Sequence, residues 1–290
     1  MRKYPIKLLN KDFKVLEANY NAKGKRKKDL VVDRHGNYAF FKYQGKGYNV
    51  SESCSEKLCY ELARVIGYDC AKIDLAKDES GNLGVLNYLF VRPNRVEHSD
   101  AIDYLNIHDK DRSKFYTISN IKATLDKIDK KLFNDFLKIM LFDALVGEQD
   151  RHEENWGVKK INGKYMISPL YDNGCSLLKE FKDEKFAEKY YNGKKNFDAY
   201  IKRSKAIIYK EDNSRAYKHF ELIEYLNKDY HDVLNHEINN LKKLTNKTII
   251  NIVNKIPDDL LTCKHKEKII EYLEKRRDIL INIIRGDKNE

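Results

Sequence analysis

Two short runs in this 290-residue chain concentrate side chains able to do chemistry. They are Gly147-Glu148-Gln149-Asp150-Arg151-His152-Glu153-Glu154-Asn155 and Pro169-Leu170-Tyr171-Asp172-Asn173-Gly174. Together they set out an Asp, an Asn five positions later and an Asp seventeen beyond that. Phosphoryl transfer needs one carboxylate near the attacking hydroxyl and two oxygen ligands for Mg²⁺ bridging the nucleotide phosphates. Mg²⁺ is a hard cation that prefers oxygen, so Asp and Asn suit it where Cys or Met would not. Asp150 is therefore the candidate catalytic base, and Asn155 and Asp172 are the candidate metal ligands. A lone loop Asp or Asn more often serves a turn, but the matched trio outweighs that reading. Asp172 also precedes Gly174, which permits a sharp bend. Arg151 and His152 read as residues that pack and hydrogen-bond to hold the loop in shape, although a His flanked by Arg and Glu suits acid–base work too.

These residues need elements to bring them together. Trp156-Gly157-Val158 and Tyr165-Met166-Ile167 predict a β-hairpin turning at Asn162-Gly163, which would return Asp172 beside Asn155. Upstream, Lys131 to Val146 is apolar almost all round, the pattern of a helix inside a helical lobe. Its end delivers the Asp150 loop. Lys42 closes the apolar strand Tyr38-Ala39-Phe40-Phe41 and is the candidate nucleotide-binding lysine. It needs an acid to orient it. Glu56, on a helix expected from Ser51 to Ile66, is the first choice, with Glu52 one turn earlier as the reserve. That helix has a serine cap at Ser51 or Ser53, an apolar stripe of Leu58, Leu62 and Val65, and a stop at Gly67. Asn21 to Lys28 is a basic stretch between two strands whose backbone amides, with Gly24, Lys25 and Lys27, could cradle phosphates. It is not a Walker A loop, since no Gly-Lys-Ser/Thr follows at the right spacing; a basic surface loop is its plain alternative. His35, His98 and His108 show no ligand spacing and read as surface residues.

Composition narrows the class. Charged residues make up 35% and hydrophobic residues 41%, and only 4 prolines occur, so the chain reads as globular with little room for disordered linkers. A net charge of +11 permits contact with polyanions without choosing among them. No zinc-finger spacing or RNA-binding aromatic motif is present, so direct nucleic-acid binding is not expected. Five scattered cysteines with no Cys-x-x-Cys suit reduced thiols in the cytoplasm. The N-terminus lacks the apolar core of a signal peptide, and no run reaches membrane-spanning length.

Along the chain, residues 1 to about 93 read as mixed β with one helix, with strands at 14–16, 30–32, 38–42, 72–75 and 85–91 separated by Gly- and Asn-rich turns. From Val96 the pattern turns helical, with further helices near 197–204, 217–226, 230–244, 248–256 and 264–285. The expected fold is α+β and two-lobed, a small β-rich nucleotide-binding lobe (1–93) before a larger helical catalytic lobe (94–290), in a protein-kinase-like arrangement.

Gly147-x-x-Asp150-Arg151-His152-x-x-Asn155 with Pro169-Leu170-Tyr171-Asp172 resembles the HipA-like serine/threonine kinases, toxin-type bacterial kinases. The likeness extends to Phe41-Lys42 and to Glu56 with Leu62-Ala63-Arg64-x-x-Gly67, covering roughly residues 20 to 175. It implies that Asp150 is the catalytic Asp and that Asn155 and Asp172 hold Mg²⁺. It implies that Lys42 grips ATP phosphates, that Gly24 to Lys28 form the phosphate loop, and that Phe90, Val91 and Arg92 lie at the adenine-contacting hinge. It further implies a protein substrate, in some members an aminoacyl-tRNA synthetase, and a DNA-binding antitoxin partner. The chain departs from the expected pattern of long members in being too short at its N-terminus for their extra small domain, and in carrying Gln149 where they have Asn. The phosphatidylinositol 3/4-kinases share Asp-Arg-His-x-x-Asn, but the small size and the lack of a membrane-surface helix favour a protein substrate. A small-molecule kinase and a non-catalytic nucleotide- or nucleic-acid-binding pseudokinase are the other readings, the latter opposed by the retained Asp, Asn and Asp.

Overall fold

A computed structural model describes residues 2–18, 27–44, 51–91, 95–105, 112–179, 181, 184–193, 195–212 and 214–286. The first part contains β1 (Ile6–Leu8), α1 (Leu9–Asp12), β2 (Phe13–Glu17), β3 (Lys28–Asp33), β4 (Tyr38–Tyr43), α2 (Ser51–Ile66), β5 (Ile73–Lys77) and β6 (Leu83–Tyr88). Its strands form one six-stranded sheet in the order β1-β5-β6-β4-β3-β2, antiparallel except for β1 beside β5. Period-two alternation sorts the sheet's side chains between two apolar layers. Phe41 pairs with Leu86 and joins Leu9, Val31, Ala39 and Ala76 in a small outer cluster. The next pair, Lys42 and Val85, points the other way, and Val85 packs into the main core with Ile73, Leu75 and α2. A one-residue register slip would therefore remove Lys42 from the α2 side.

The second part contains β7 (Val96–Asp100), α3 (Ala101–Leu105), α4 (Arg112–Phe115), α5 (Ile118–Ile128), α6 (Leu132–Val146), β8 (Gly157–Ile161), β9 (Lys164–Ile167), α7 (Glu184–Tyr191), α8 (Phe197–Lys202), β10 (Lys205–Tyr209), β11 (Ala216–Lys218), α9 (His219–Asp229), α10 (His231–Lys242), α11 (Asn246–Val253) and α12 (Cys263–Arg285). Helix α6 is buried along nearly its whole length, between α5, α9, α10 and α12. Helix α2 belongs to the same core, with Cys54, Leu58, Cys59, Leu62, Ala63 and Ile66 fully buried. The β-rich and helical parts are thus joined by one continuous apolar layer running through α2. Among the described residues, no helix is long and apolar enough to cross a membrane.

Several expectations are met closely. Helix α2 has the predicted bounds, and the hairpin turns at Asn162-Gly163 with φ of 50° and 79°, the two left-handed residues that a tight hairpin turn requires. Others need correction. Val96–Asp100 was expected to open the helical region but is a strand, paired residue for residue with β8. Its partner lies some sixty positions downstream, so nothing local announces it. The strand expected over 85–91 ends at Tyr88, and short strands β10 and β11 interrupt the region read as wholly helical. The expected lobe boundary falls on residues 92–94, outside the described residues.

Helix α6 ends on Gly147, whose φ of 70° closes the last turn through a bond from its N–H to the Asp143 carbonyl (2.7 Å). A Cβ added there would lie 1.9 Å from the Tyr272 hydroxyl, on a buried ring of α12. Gly163, also at positive φ, has nothing within 4 Å of that position. Gly147→Ala is therefore expected to cost roughly 3 kcal/mol or more, strain plus overpacking, and Gly163→Ala only about 1 kcal/mol. Urea unfolding of the two variants should show that order; equal losses would contradict the close packing at Gly147.

Candidate active site

The loop after α6 is built around one buried cation. Arg151 is 3% exposed and Asp143, on the last turns of α6, is 2% exposed. The guanidinium donates to both Asp143 oxygens, from Nε (3.0 Å to Oδ2) and Nη2 (2.9 Å to Oδ1). Its other hydrogens go to the downstream segment: Nη1 to the Asn155 carbonyl (2.8 Å) and the Tyr171 carbonyl (2.6 Å), and Nη2 to Asn173 Oδ1 (2.5 Å). One side chain thus ties α6, the 150–155 loop and the segment bearing Asp172. Burial opposes the charge on Arg151, but Asp143 outweighs it and holds the guanidinium's pKa above its ordinary value. The same burial raises the Asp143 carboxyl's pKa against Arg151's pull. Tyr116 adds a brace, donating to the Arg151 carbonyl (2.9 Å) and accepting from Trp156 Nε1 (2.7 Å).

Asp150 is half-exposed. Its N–H is held by Glu148 Oε1 (2.8 Å), and its carbonyl accepts from Asn155 Nδ2 (2.7 Å) and the His152 N–H (2.8 Å). With Nδ2 so committed, Asn155 has its amide oxygen left as a ligand atom. His152 also accepts the Glu154 N–H (3.2 Å), so it and Arg151 both hold the loop, as expected. Asp172 sits at φ 54°, a left-handed conformation that Asp tolerates better than most residues. Its Oδ1 lies 3.2 Å from Lys42 Nζ, and Glu56 Oε1 lies 3.4 Å from the same ammonium. Burial pulls the Lys42 pKa down, but the charges of Asp172 and Glu56 outweigh it and hold Lys42 protonated. Burial, with Asp172's charge, raises the Glu56 carboxyl. Glu52, the reserve partner, instead packs against Gly174, where a Cβ would come within 2.9 Å of its side chain.

The donor set fits a hard divalent cation bound jointly with phosphates. Asn155 and Asp172 present oxygens on segments clasped by one arginine, and among the described residues no cluster of three or more His, Cys, Asp or Glu could hold a metal alone. Other expected residues are placed unevenly. Lys27 Nζ lies over the Tyr43 ring, 4.4 Å from its centre. Phe90 packs edge-on against His98 (5.2 Å) and near Tyr171 (5.9 Å), and Val91 is exposed. Gly24, Lys25 and Arg92 lie outside the described residues, as does His108.

Some site residues escaped the sequence reading. His98 is no surface residue: it is half-buried, bonded to Ser168 Oγ (2.8 Å) and Asp100 Oδ1 (2.9 Å), while Tyr171 donates to the same Asp100 oxygen (3.0 Å). Strand β7 brings it there. Lys28 pairs across strands with Lys42, which puts it on the same face of the sheet; burial and then Lys42's charge lower its pKa, while Asp172 and Asp100 oppose them. A lysine run offered no means of singling it out. Glu148 is buried, and its Oε2 has no hydrogen-bond partner among the described residues. Two buried left-handed leucines, Leu177 and Leu178, follow the Asp172 segment and are pinned by a bond from the Leu177 N–H to the Val146 carbonyl (3.0 Å).

A family model for the HipA-like C-terminal domain matches residues 20–253. The chain belongs to that family. It is 25% identical over 202 residues to the serine/threonine-protein kinase CtkA of Helicobacter pylori, a match spanning 69% of this chain and 58% of that protein's length. The crystal structure of the proinflammatory kinase CtkA of H. pylori is similar over 97% of both chains, with a TM-score of 0.79 and 20% identity. HipA of Shewanella oneidensis MR-1, solved with HipB and operator DNA, is similar over 99% of this chain and 68% of its own, with a TM-score of 0.58 and 14% identity. The fold is therefore the expected α+β, two-lobed, kinase-like one, with a β-rich N-lobe and a larger helical C-lobe.

Burial, partly offset by Arg151, pushes the Glu148 carboxyl up from 4.5 to about 8. Between those values the folded protein keeps a proton that the unfolded chain releases, so this group's contribution to stability is complete below about 4.5 and is lost as pH rises through 8. Glu148→Gln keeps an acceptor for the Asp150 N–H without titrating. Urea midpoints at pH 5 and pH 8.5 should fall more for the unaltered chain than for Glu148→Gln; parallel losses would refute the assignment. Arg151→Met, which leaves Asp143 buried and unpaired, should cost about 3–5 kcal/mol in the same assay.

Proposed function

We propose that this protein is an ATP- and Mg²⁺-dependent serine/threonine protein kinase, transferring the γ-phosphate to a protein hydroxyl and to a serine of its own chain. The observation that carries this reading is Lys42 bracketed by Glu56 and Asp172, on a segment clasped by the same arginine that shapes the Asp150–Asn155 loop. The name of the H. pylori relative, a serine/threonine-protein kinase, supports the acceptor class.

In this reading Lys42, kept charged by its two carboxylates, grips the nucleotide phosphates, and Lys28 beside it adds a second positive charge. Asn155 and Asp172 hold the metal, which when bound supplies charge neutralisation on the phosphates. Asp150 orients the acceptor hydroxyl and takes its proton as the hydroxyl oxygen bonds to the γ-phosphorus and the bond from that phosphorus to the β,γ-bridging oxygen breaks, with ADP as the leaving group. Arg151 touches no reacting atom; it keeps the loop and the Asp172 segment in one arrangement, so the site requires no large rearrangement when substrates bind. On the likeness to HipA, whose structure contains HipB, an antitoxin partner is proposed as well; the resemblance to the HipA-like kinases motivates a translation component such as an aminoacyl-tRNA synthetase as the proposed substrate.

The test is transfer of labelled γ-phosphate from ATP to lysate proteins and to the chain itself. The unaltered chain should be active, with Asp150→Ala, Asp172→Ala and Lys42→Met each slower by about 10³-fold or more, equivalent to about 4 kcal/mol of transition-state stabilisation. Similar rates in all four proteins would defeat the proposal.

A further inference from the structure

The lysines buried in this fold are mostly matched by carboxylates. Lys42 has Glu56 and Asp172, Lys57 has Glu61 and Asp74, and Lys266 has Asp258. Among the described residues, Lys179 breaks that pattern. It is half-buried, and its ammonium donates to the sulfur of Cys175 (2.6 Å) rather than to a carboxylate. Cys175 in turn donates to Asp150 Oδ2 (3.6 Å). Burial, helped by Glu148's charge, pushes the Cys175 thiol up to about 12, so the sulfur stays protonated and brings no countercharge. Glu148 and Glu52 act on Lys179 through space without bonding it, so among the described residues the thiol is its hydrogen-bond partner, and a partly desolvated ammonium so placed keeps donors for an anion.

Lys179 lines a small pocket with Gly147, Gln149, Tyr200, Arg203 and Tyr272. Arg203 stacks its guanidinium on the Tyr200 ring at 4.3 Å. Among the described residues the lining thus holds two cations and no acidic side chain. Lys42, Glu56, Asn155 and Asp172 are also absent from it, so the pocket adjoins Asp150 on a side separate from the nucleotide residues.

We propose that the mouth of this pocket, whose interior of about 10 Å³ holds no more than a water, is an acceptor subsite that takes the carboxylate of an Asp or Glu close to the phosphorylated hydroxyl, with Lys179 as its specificity-determining cation. The assignment rests on the kinase reading but concerns acceptor binding alone. Arg203, at the exposed rim, adds to the attraction, and the Lys179–Cys175–Asp150 chain of hydrogen bonds keeps the ammonium at a fixed place beside the catalytic carboxylate.

The experiment uses the full chain and two fluorescein-labelled serine peptides that differ only in Glu or Gln at the residues flanking the serine, with binding read by anisotropy. The Glu peptide should bind about tenfold tighter, and the advantage should shrink as salt rises. Lys179→Met should abolish the preference, and Lys179→Glu should reverse it in favour of a third labelled peptide with Lys at the same positions. Equal affinity of the unaltered chain for both peptides overturns the proposal without any variant, and so does a preference that survives in both Lys179 variants. Because binding is the readout, a chain that shows the Lys179-dependent preference but transfers no phosphate upholds the pocket and refutes only the kinase reading.

Discussion

The Arg151–Asp143 pair is an ion pair almost wholly removed from water, and the site is organised around it. Two buried charges gain little net stability from each other, because their desolvation offsets most of the attraction. The pair's effect lies in the remaining hydrogens of the guanidinium. They must be satisfied, and the acceptors that satisfy them are the carbonyls of Asn155 and Tyr171 and the side chain of Asn173. Segments that are distant in the chain are thereby held at one point. Losing any of these acceptors would leave a buried donor unpaired, at a cost of about 1–3 kcal/mol, so the arrangement has little freedom to drift.

A second constraint acts from the other side of the cleft. The sheet's alternation sends Lys42 toward α2, and α2 cannot move because its inner face is part of the main core. Glu56 is therefore presented to Lys42 by packing rather than by the pair's own attraction. Asp172 completes the contact from a left-handed conformation, strain that the surrounding bonds must sustain. The serine hydroxyls add to this: Ser176 donates to the Asn173 carbonyl (2.6 Å) and Ser55 of α2 donates to the Ser176 carbonyl (3.1 Å). The Asp172 segment is thus fastened both to the helical lobe and to the helix that carries Lys42's partner Glu56.

Most of what is local in this architecture was legible from the sequence. The bounds of α2 with its glycine stop, the apolar α6, and the Asn162-Gly163 turn all follow from periodicities and backbone preferences acting over a few residues. The choice of Glu56 over Glu52 also followed from position, one turn along a helix after a lysine-ending strand. Strand β7 was not legible, since Val96–Asp100 has a polar pattern and its pairing partner lies far downstream. His98 was misread for the same cause: its partners come from Ser168 and from a strand that the sequence did not announce.

By itself the sequence determined the chemical inventory: two carboxylates and an amide at spacings suited to a metal and a nucleotide, a lysine at the end of an apolar strand, and the helices and turns between them. The tertiary structure decided which cations face the cleft, picking Lys28 out of a run of lysines and leaving Lys179 to a thiol. It also decided that Arg151 is the point at which the segments meet. The reason is the range of the forces involved. Helix and turn preferences act between neighbours in the chain, whereas burial, desolvation and the pairing of charges depend on what arrives from elsewhere, and only the assembled fold specifies that.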